Sequence, residues 1–150
     1  MNDDHFEKLL EELQRKIEYD EEETYSKVVI REYRNPSNFG VIENPDALGE
    51  VKGPCGDTMK MSLRIEDRKI RDACFWTDGC GATIACGSML TKMIKGENLE
   101  EAADITSERL IDALEGLPEE HIHCSKLAVD TLQNAIENYH KKKNSENLSL

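Results

Sequence analysis

Phe6, Leu9, Leu10, Leu13 and Ile17 recur on one helical face near the start of the chain. Asp4, with Glu7 three residues later, makes a helix-start signature. Glu11/Arg15 and Glu12/Lys16 are i,i+4 pairs on the opposite side. The spacing predicts a helix over 5–18, with the acidic run "YDEEET" after it as a hinge. Its apolar stripe should pack on its own domain or on a neighbouring chain, with partner docking as the alternative. Tyr25, Val28, Val29 and Tyr33 mark a second helix over 24–33, ended by "NPSNFG" because Asn35 precedes a proline.

From Gly49 the period changes to two. Met59, Met61, Leu63 and Ile65 alternate with Lys60, Ser62 and Arg64, the pattern of a half-buried strand. "EDRK" turns the chain and Ile70 to Trp76 returns as an antiparallel partner, with "EVKG" predicted as an added strand upstream. Met59 and Met61 read as sheet core, and Trp76 as packing the sheet against a helix. After Cys80 the spacing is helical again. Ala82, Ala85, Met89, Leu90, Met93 and Ile94 form one element, stopped by Gly96. "NLEEAADI" and "SERLIDALEGL" are two short helices. Leu127, Ala128, Leu132, Ala135, Ile136 and Tyr139 share a face of a last helix over 124–140. The expected fold is α+β, a small antiparallel sheet with helices packed on one face. Residues 1–24 form an acidic N-terminal helical extension, 25–140 the main domain and 141–150 a polar tail.

Charge narrows the partners. The net charge of −12 argues against nucleic acid and anionic lipid, and residues 1–24 hold −7 of it. The longest run free of charged residues, Gly79 to Thr91, falls short of the roughly 20 apolar residues of a membrane span. The acidic start resembles neither a signal nor a transit peptide, so a cytoplasmic, reducing setting is expected. The five cysteines are odd in number and cannot all pair within one chain. Metal binding, sulfur chemistry or packing are the remaining uses for their thiols.

Three cysteines lie where secondary structure changes. Cys55 sits in "GPCGD" before a strand, Cys80 in "TDGCGA" between strand and helix, and Cys124 in "HIHCSKLA" at the start of the last helix. A helix start stabilises a thiolate, so Cys80 and Cys124 should be tuned as ligands or nucleophiles. Asp57 and His123 lie beside them. Thiolates and imidazole suit zinc or iron–sulfur clusters, while the harder carboxylate is the ligand more easily shed. Cys55, Asp57, Cys80, His123 and Cys124 thus offer five candidates for four positions. The cysteines are 25 and 44 residues apart and no CxxC pair exists. On spacing alone, a metal site and three incidental cysteines both remain open. Cys74 and Cys86 read as packing residues, although Cys86 could reach the pocket from the helix after Cys80. His5 and His140 should be exposed.

"YSKVVIREYRNPSNFG", "GPCGDTMKMSLRIED", "DACFWTDGCGATIACGSMLTKMIKG" and "HCSKLAVDTLQNAIENY" resemble, in order, the IscU/NifU-type iron–sulfur cluster assembly scaffolds over about residues 25–140. The resemblance implies an IscU/SufE-like fold with a three-stranded antiparallel sheet. It implies a carrier, with no turnover of its own, on which a labile 2Fe–2S cluster is built and passed to recipient apo-proteins. Cys55, Cys80 and Cys124 would be the cluster cysteines, with Asp57 or His123 completing the set. Zinc can occupy the same pocket when no cluster is present. Sulfur would arrive as persulfide from a cysteine desulfurase, with Cys124 as first acceptor and Cys55 as runner-up. A homodimer around the cluster is a further implication.

The chain also departs from the pattern. Bacterial members carry Leu-Pro-Pro-Val-Lys before the His-Cys pair, a site recognised by an Hsp70-type chaperone. Here the stretch is "LPEEH", which speaks against that partner and brings a second imidazole, His121, near the pocket. The long insertion of the SufU-like branch is missing, which disfavours the alternative of a zinc-dependent persulfide acceptor. The acidic N-terminal helix has no counterpart in the family core.

Overall fold

The computed structural model describes residues 3–148. Helix α1 (Asp3–Thr24) leads into α2 (Lys27–Arg34). Strands β1 (Ala47–Lys52), β2 (Thr58–Glu66) and β3 (Lys69–Thr77) follow. Then come α3 (Gly81–Ile94), α4 (Leu99–Ala103), α5 (Ser107–Ala113), a 3₁₀ turn (Glu119–His121) and α6 (Ile122–Leu148). The sheet is antiparallel in the order β1-β2-β3, and the expected α+β fold is observed. Among the described residues no helix is long and apolar enough to cross a membrane.

The period-two pattern of β2 decides which face the helices cover. Met59, Met61 and Leu63 are fully buried and pair with Thr77, Phe75 and Ala73 of β3. Ile65 loses part of this burial at a register shift between Arg64 and Ile65. Helix α6 packs over β1 and β2, and α3 over β3. Two glycines permit these approaches. A Cβ at Gly49 would lie 2.5 Å from backbone atoms of Thr131 and Ala135 in α6, and one at Gly87 would meet the Phe75 ring at 2.3 Å.

The opposite face is covered in part by the segment after α2. Asn38 and Gly40 hydrogen-bond the backbone of Phe75 at the free edge of β3, and the Ile42 N–H donates to the Ser62 hydroxyl. Trp76 lies on this face, half-buried, with Lys60 Nζ 5.3 Å from its ring centroid. The expected packing of Trp76 against a helix is therefore corrected: strand alternation sends Phe75 and Thr77 to the helices and Trp76 away from them. Cys74 is half-buried on the same open face, and Cys86 is in the core with Val29, Ala82 and Leu90.

Three helix bounds differ from expectation. The run "YDEEET" is no hinge, because α1 continues through it to Thr24. Glutamate is a good helix former, and Glu21 is anchored by Arg34 and Tyr33. The break falls instead at Ser26, whose hydroxyl accepts from Val29 N and caps α2. The apolar stripe of α1 does not pack on the domain. Phe6, Leu9, Leu10, Leu13 and Ile17 are all half or more exposed, since the helix meets mainly α2. The last helix does not stop at residue 140, because α6 continues into the polar tail through Leu148; residues 149–150 lie outside the described part.

One buried ion cluster ties α2 to α3. Glu32, with only 3% of its side chain exposed, receives Lys92 Nζ at 2.6 Å, the Ser88 hydroxyl at 2.8 Å and Arg31 Nε at 3.1 Å.

Candidate metal centre

Three segments far apart in sequence bring their chemistry to one end of the sheet. The first is the β1–β2 turn. Gly53 N donates to Asp57 O and Gly56 N to Gly53 O, and Gly56 has φ +89°, a conformation that favours glycine. This tight turn leaves Cys55 exposed at its tip. The second is the β3–α3 junction, where Cys80 is the N-cap residue of α3. The third is the 3₁₀ turn and start of α6, which carry His121, His123 and Cys124.

Side-chain contacts link all three. Cys55 Sγ lies 3.3 Å from His123 Nε2, which lies 3.7 Å from Cys124 Sγ. The Thr83 hydroxyl donates to Cys124 Sγ at 3.3 Å and sits 3.7 Å from Cys80 Sγ. The Asp57 carboxylate rests against Gly79, where a Cβ would come within 3.0 Å of Oδ2. The five residues picked out from the sequence thus gather at one place.

Two groups sequence reasoning left without a role are also there. Donor atoms of Cys80, His121 and Cys124 lie within 4.8 Å of one another. The Tyr25 hydroxyl, 96 residues away in sequence, hydrogen-bonds His121 Nε2 at 3.1 Å. Nothing local marks Tyr25, whose position reads as one more apolar helix site. Thr83 was detectable only as the residue one turn beyond Cys80.

The thiols differ in their electrostatics. Burial works against ionisation of Cys80, but backbone N–H groups of Thr83 and Ala82, the Thr83 hydroxyl and the Cys124 thiol outweigh it. The thiol is held below its ordinary range, as the helix start predicts. Cys124 overturns the same expectation. It is 1% exposed, and burial pushes its pKa up to about 11, aided by the charges of Cys80 and Asp57 against the opposing Thr83 bond. Being inside the first turn of α6 does not compensate for the loss of water. Burial likewise raises Cys86, further opposed by Cys124 and Cys80, which places this inert thiol beneath the pocket. Burial, with Cys80 and Cys124 close by, pushes the Tyr25 phenol above its usual range. His5 and His140 are exposed and take no part.

This donor set fits a thiophilic ion or an iron–sulfur cluster. It has soft sulfur, borderline nitrogen and one hard oxygen, with all five cysteines free of disulfides. Two exposed thiols, Cys55 and Cys80, open the pocket to solvent, while Cys124 forms its floor.

Residues 24–146 match the family model described as the NifU-like N terminal domain. The chain is 45% identical over 119 residues to iron-sulfur cluster assembly scaffold protein IscU 1 of Archaeoglobus fulgidus, covering 79% of this chain and 78% of that protein. It is 44% identical over 125 residues to the scaffold protein IscU of Buchnera aphidicola subsp. Schizaphis graminum, covering 80% and 97%. Among solved structures, a putative SUF-system scaffold protein from Fervidobacterium islandicum aligns with TM-score 0.64 at 22% identity, covering 75% of this chain and 96% of that one. The N-terminal part of a NifU-like protein from Brucella abortus aligns with TM-score 0.60 at 22% identity, covering 78% and 94%.

Proposed function

From the chain's membership of the NifU-like N-terminal domain family, we propose that it is an iron–sulfur cluster assembly scaffold. It builds a labile 2Fe–2S cluster from iron and desulfurase-derived persulfide sulfur and passes it to apo-proteins. The observation that carries this reading is the gathering of Cys55, Asp57, Cys80, His123 and Cys124 around one solvent-open pocket. Five donors serve four coordination positions, so one ligand can leave while the others hold.

The residues divide the work by exposure. Cys124 lies at the floor, so the exposed Cys55 at the tip of its turn is the better placed first sulfur acceptor. Its thiolate attacks the terminal sulfur of the desulfurase persulfide. A new S–S bond forms on Cys55 while the desulfurase cysteine departs as thiolate. Each sulfur delivered at this oxidation level needs two electrons to become sulfide, drawn from ferrous iron and an external reductant. Asp57, the hardest donor, is the ligand that gives way on release.

Anaerobic reconstitution with iron, cysteine and a desulfurase tests the reading. It should give a brown protein with iron and acid-labile sulfide in equal amounts. A colourless product lacking both would overturn it. Zinc retained throughout, together with stimulation of the desulfurase, would point instead to a zinc-dependent persulfide acceptor.

A further inference from the structure

We propose that His121, oriented by Tyr25, is the imidazole that joins Cys80 and Cys124 in binding the first thiophilic divalent cation, zinc or ferrous iron, at the pocket floor. His123 belongs with Cys55 at the rim. This assignment rests on the metal-handling reading of the pocket and adds a residue to it.

Three observations converge on His121. A ring nitrogen of His121 lies within 4.8 Å of the Cys80 and Cys124 sulfurs. A tetrahedral zinc ion with bonds of about 2.0–2.3 Å needs donors separated by about 3.5–3.8 Å, so closing the set takes about 1 Å of side-chain movement. Second, His121 Nδ1 is buried with no hydrogen-bond partner in the protein, a cost that a native site rarely bears without a bound water or ion. Third, Nε2 is engaged by the Tyr25 hydroxyl at 3.1 Å. When Nε2–H donates to that oxygen, the free lone pair is on Nδ1. Fixing one ring nitrogen to free the other is how outer partners orient ligating histidines. Tyr25 packs edge-on against Tyr33, with ring centroids 6.2 Å apart, so the support is itself held.

His123 is differently placed. Its Nε2 is nearer Cys55 Sγ, at 3.3 Å, than Cys124 Sγ, at 3.7 Å. The two imidazoles are separate, with centroids 6.4 Å apart. A cation seated through His121 leaves Cys55 free to receive sulfur beside it. Loading of metal and loading of sulfur then do not compete for one thiol.

Anaerobic cobalt(II) titration of the full chain, followed by zinc competition, reads the first site without any cluster chemistry. The wild-type protein should take up one ion with sulfur-to-cobalt charge transfer and intense four-coordinate ligand-field bands. His121→Gln should lose that intensity and bind about 100-fold more weakly or worse, and Tyr25→Phe about tenfold more weakly. His123→Gln should weaken the first ion less than His121→Gln does. Imidazole ¹⁵N–¹H correlation spectra of the wild-type protein with one zinc equivalent need no substitution. They should show His121 metal-bound through Nδ1 and protonated at Nε2. Wild-type cobalt spectra and affinity in a folded His121→Gln, or zinc shifting only the His123 nitrogens, would overturn the assignment. A cluster that still forms under either result would leave the scaffold reading standing, and failure to form one would leave the cation site standing.

Discussion

Gly49→Ala isolates a single contact on which the site depends. The glycine lies in β1 where α6 crosses the sheet, and its φ is not in the left-handed region, so alanine meets no backbone strain there. The added methyl would lie 2.5 Å from Ala135 N and Thr131 O and 2.9 Å from Ala135 Cα. Ordinary contact needs about 3.5 Å, so helix and strand must part by about 1 Å. These are backbone atoms, and no rotamer change relieves them. Overpacking of this kind costs about 1–3 kcal/mol. The separation also stretches two bonds across the seam, Glu50 N to Asn134 Oδ1 at 3.0 Å and Asn138 Nδ2 to Leu48 O at 2.9 Å. Each is worth about 0.5–1.5 kcal/mol. Against this stands about 0.4–1 kcal/mol from a stiffer unfolded chain. The net is about 3 kcal/mol of destabilisation, or a fall in Tm of about 6–12 °C for a chain of this size. Thermal unfolding followed by far-ultraviolet circular dichroism measures it. Gly53→Ala is the control, because there the new methyl comes no closer than 3.4 Å to the Leu127 side chain and 3.7 Å to Asp57 O. A fall below about 2 °C, or an equal fall in the control, would refute the reasoning by showing that the edge strand yields freely. Because α6 also carries His123 and Cys124, a folded Gly49→Ala protein should bind metal more weakly than wild type.

Asp57→Ala should slow cluster loss about tenfold, the effect of about 1.4 kcal/mol on the release barrier, measured as the decay of visible absorbance under chelator. Unchanged half-lives would contradict the role of the carboxylate as the yielding ligand. Glu32→Gln should destabilise by about 1–2 kcal/mol at neutral pH through loss of charge-assisted bonds. Burial alone would raise the Glu32 pKa, but Lys92, Ser88 and Arg31 outweigh it and hold it below the ordinary value. A depressed folded pKa gives stability that is present above the unfolded pKa of about 4.3 and lost as pH falls through the folded value. The difference in Tm between the two proteins should therefore shrink below about pH 4.3, and a gap that stays constant to pH 3 would exclude the linkage. Chelation of all metal should leave secondary structure intact, since Met59, Met61, Phe75, Leu90 and Leu132 belong to an apolar core that extends well beyond the pocket residue Cys124. Unfolding on chelation would mark the site as structural instead.

What the sequence by itself determined was whatever repeats over a few residues. Alternation in Met59–Ile65 set the strand and the face it buries, and apolar spacing placed α3, α4, α5 and the start of α6 within a few residues. The GPCGD, GCGA and HCS stretches named candidate donors that the structure gathers at one pocket. Short-range patterns reported less well where polar residues had to choose between ending and continuing a helix. Both "YDEEET" and the segment after His140 continued, because nothing stopped them and, in the first case, Arg34 and Tyr33 secured Glu21. Only the tertiary structure decided which thiol is acidic and which is not. Cys80 and Cys124 both lie at helix starts, yet one caps its helix at the surface while the other is sealed beneath Thr83 and raised to about 11. Tertiary structure also turned His121 into the pocket and set Tyr25 behind it. Desolvation and ligand geometry depend on neighbours supplied by distant parts of the chain, and no local period carries that information.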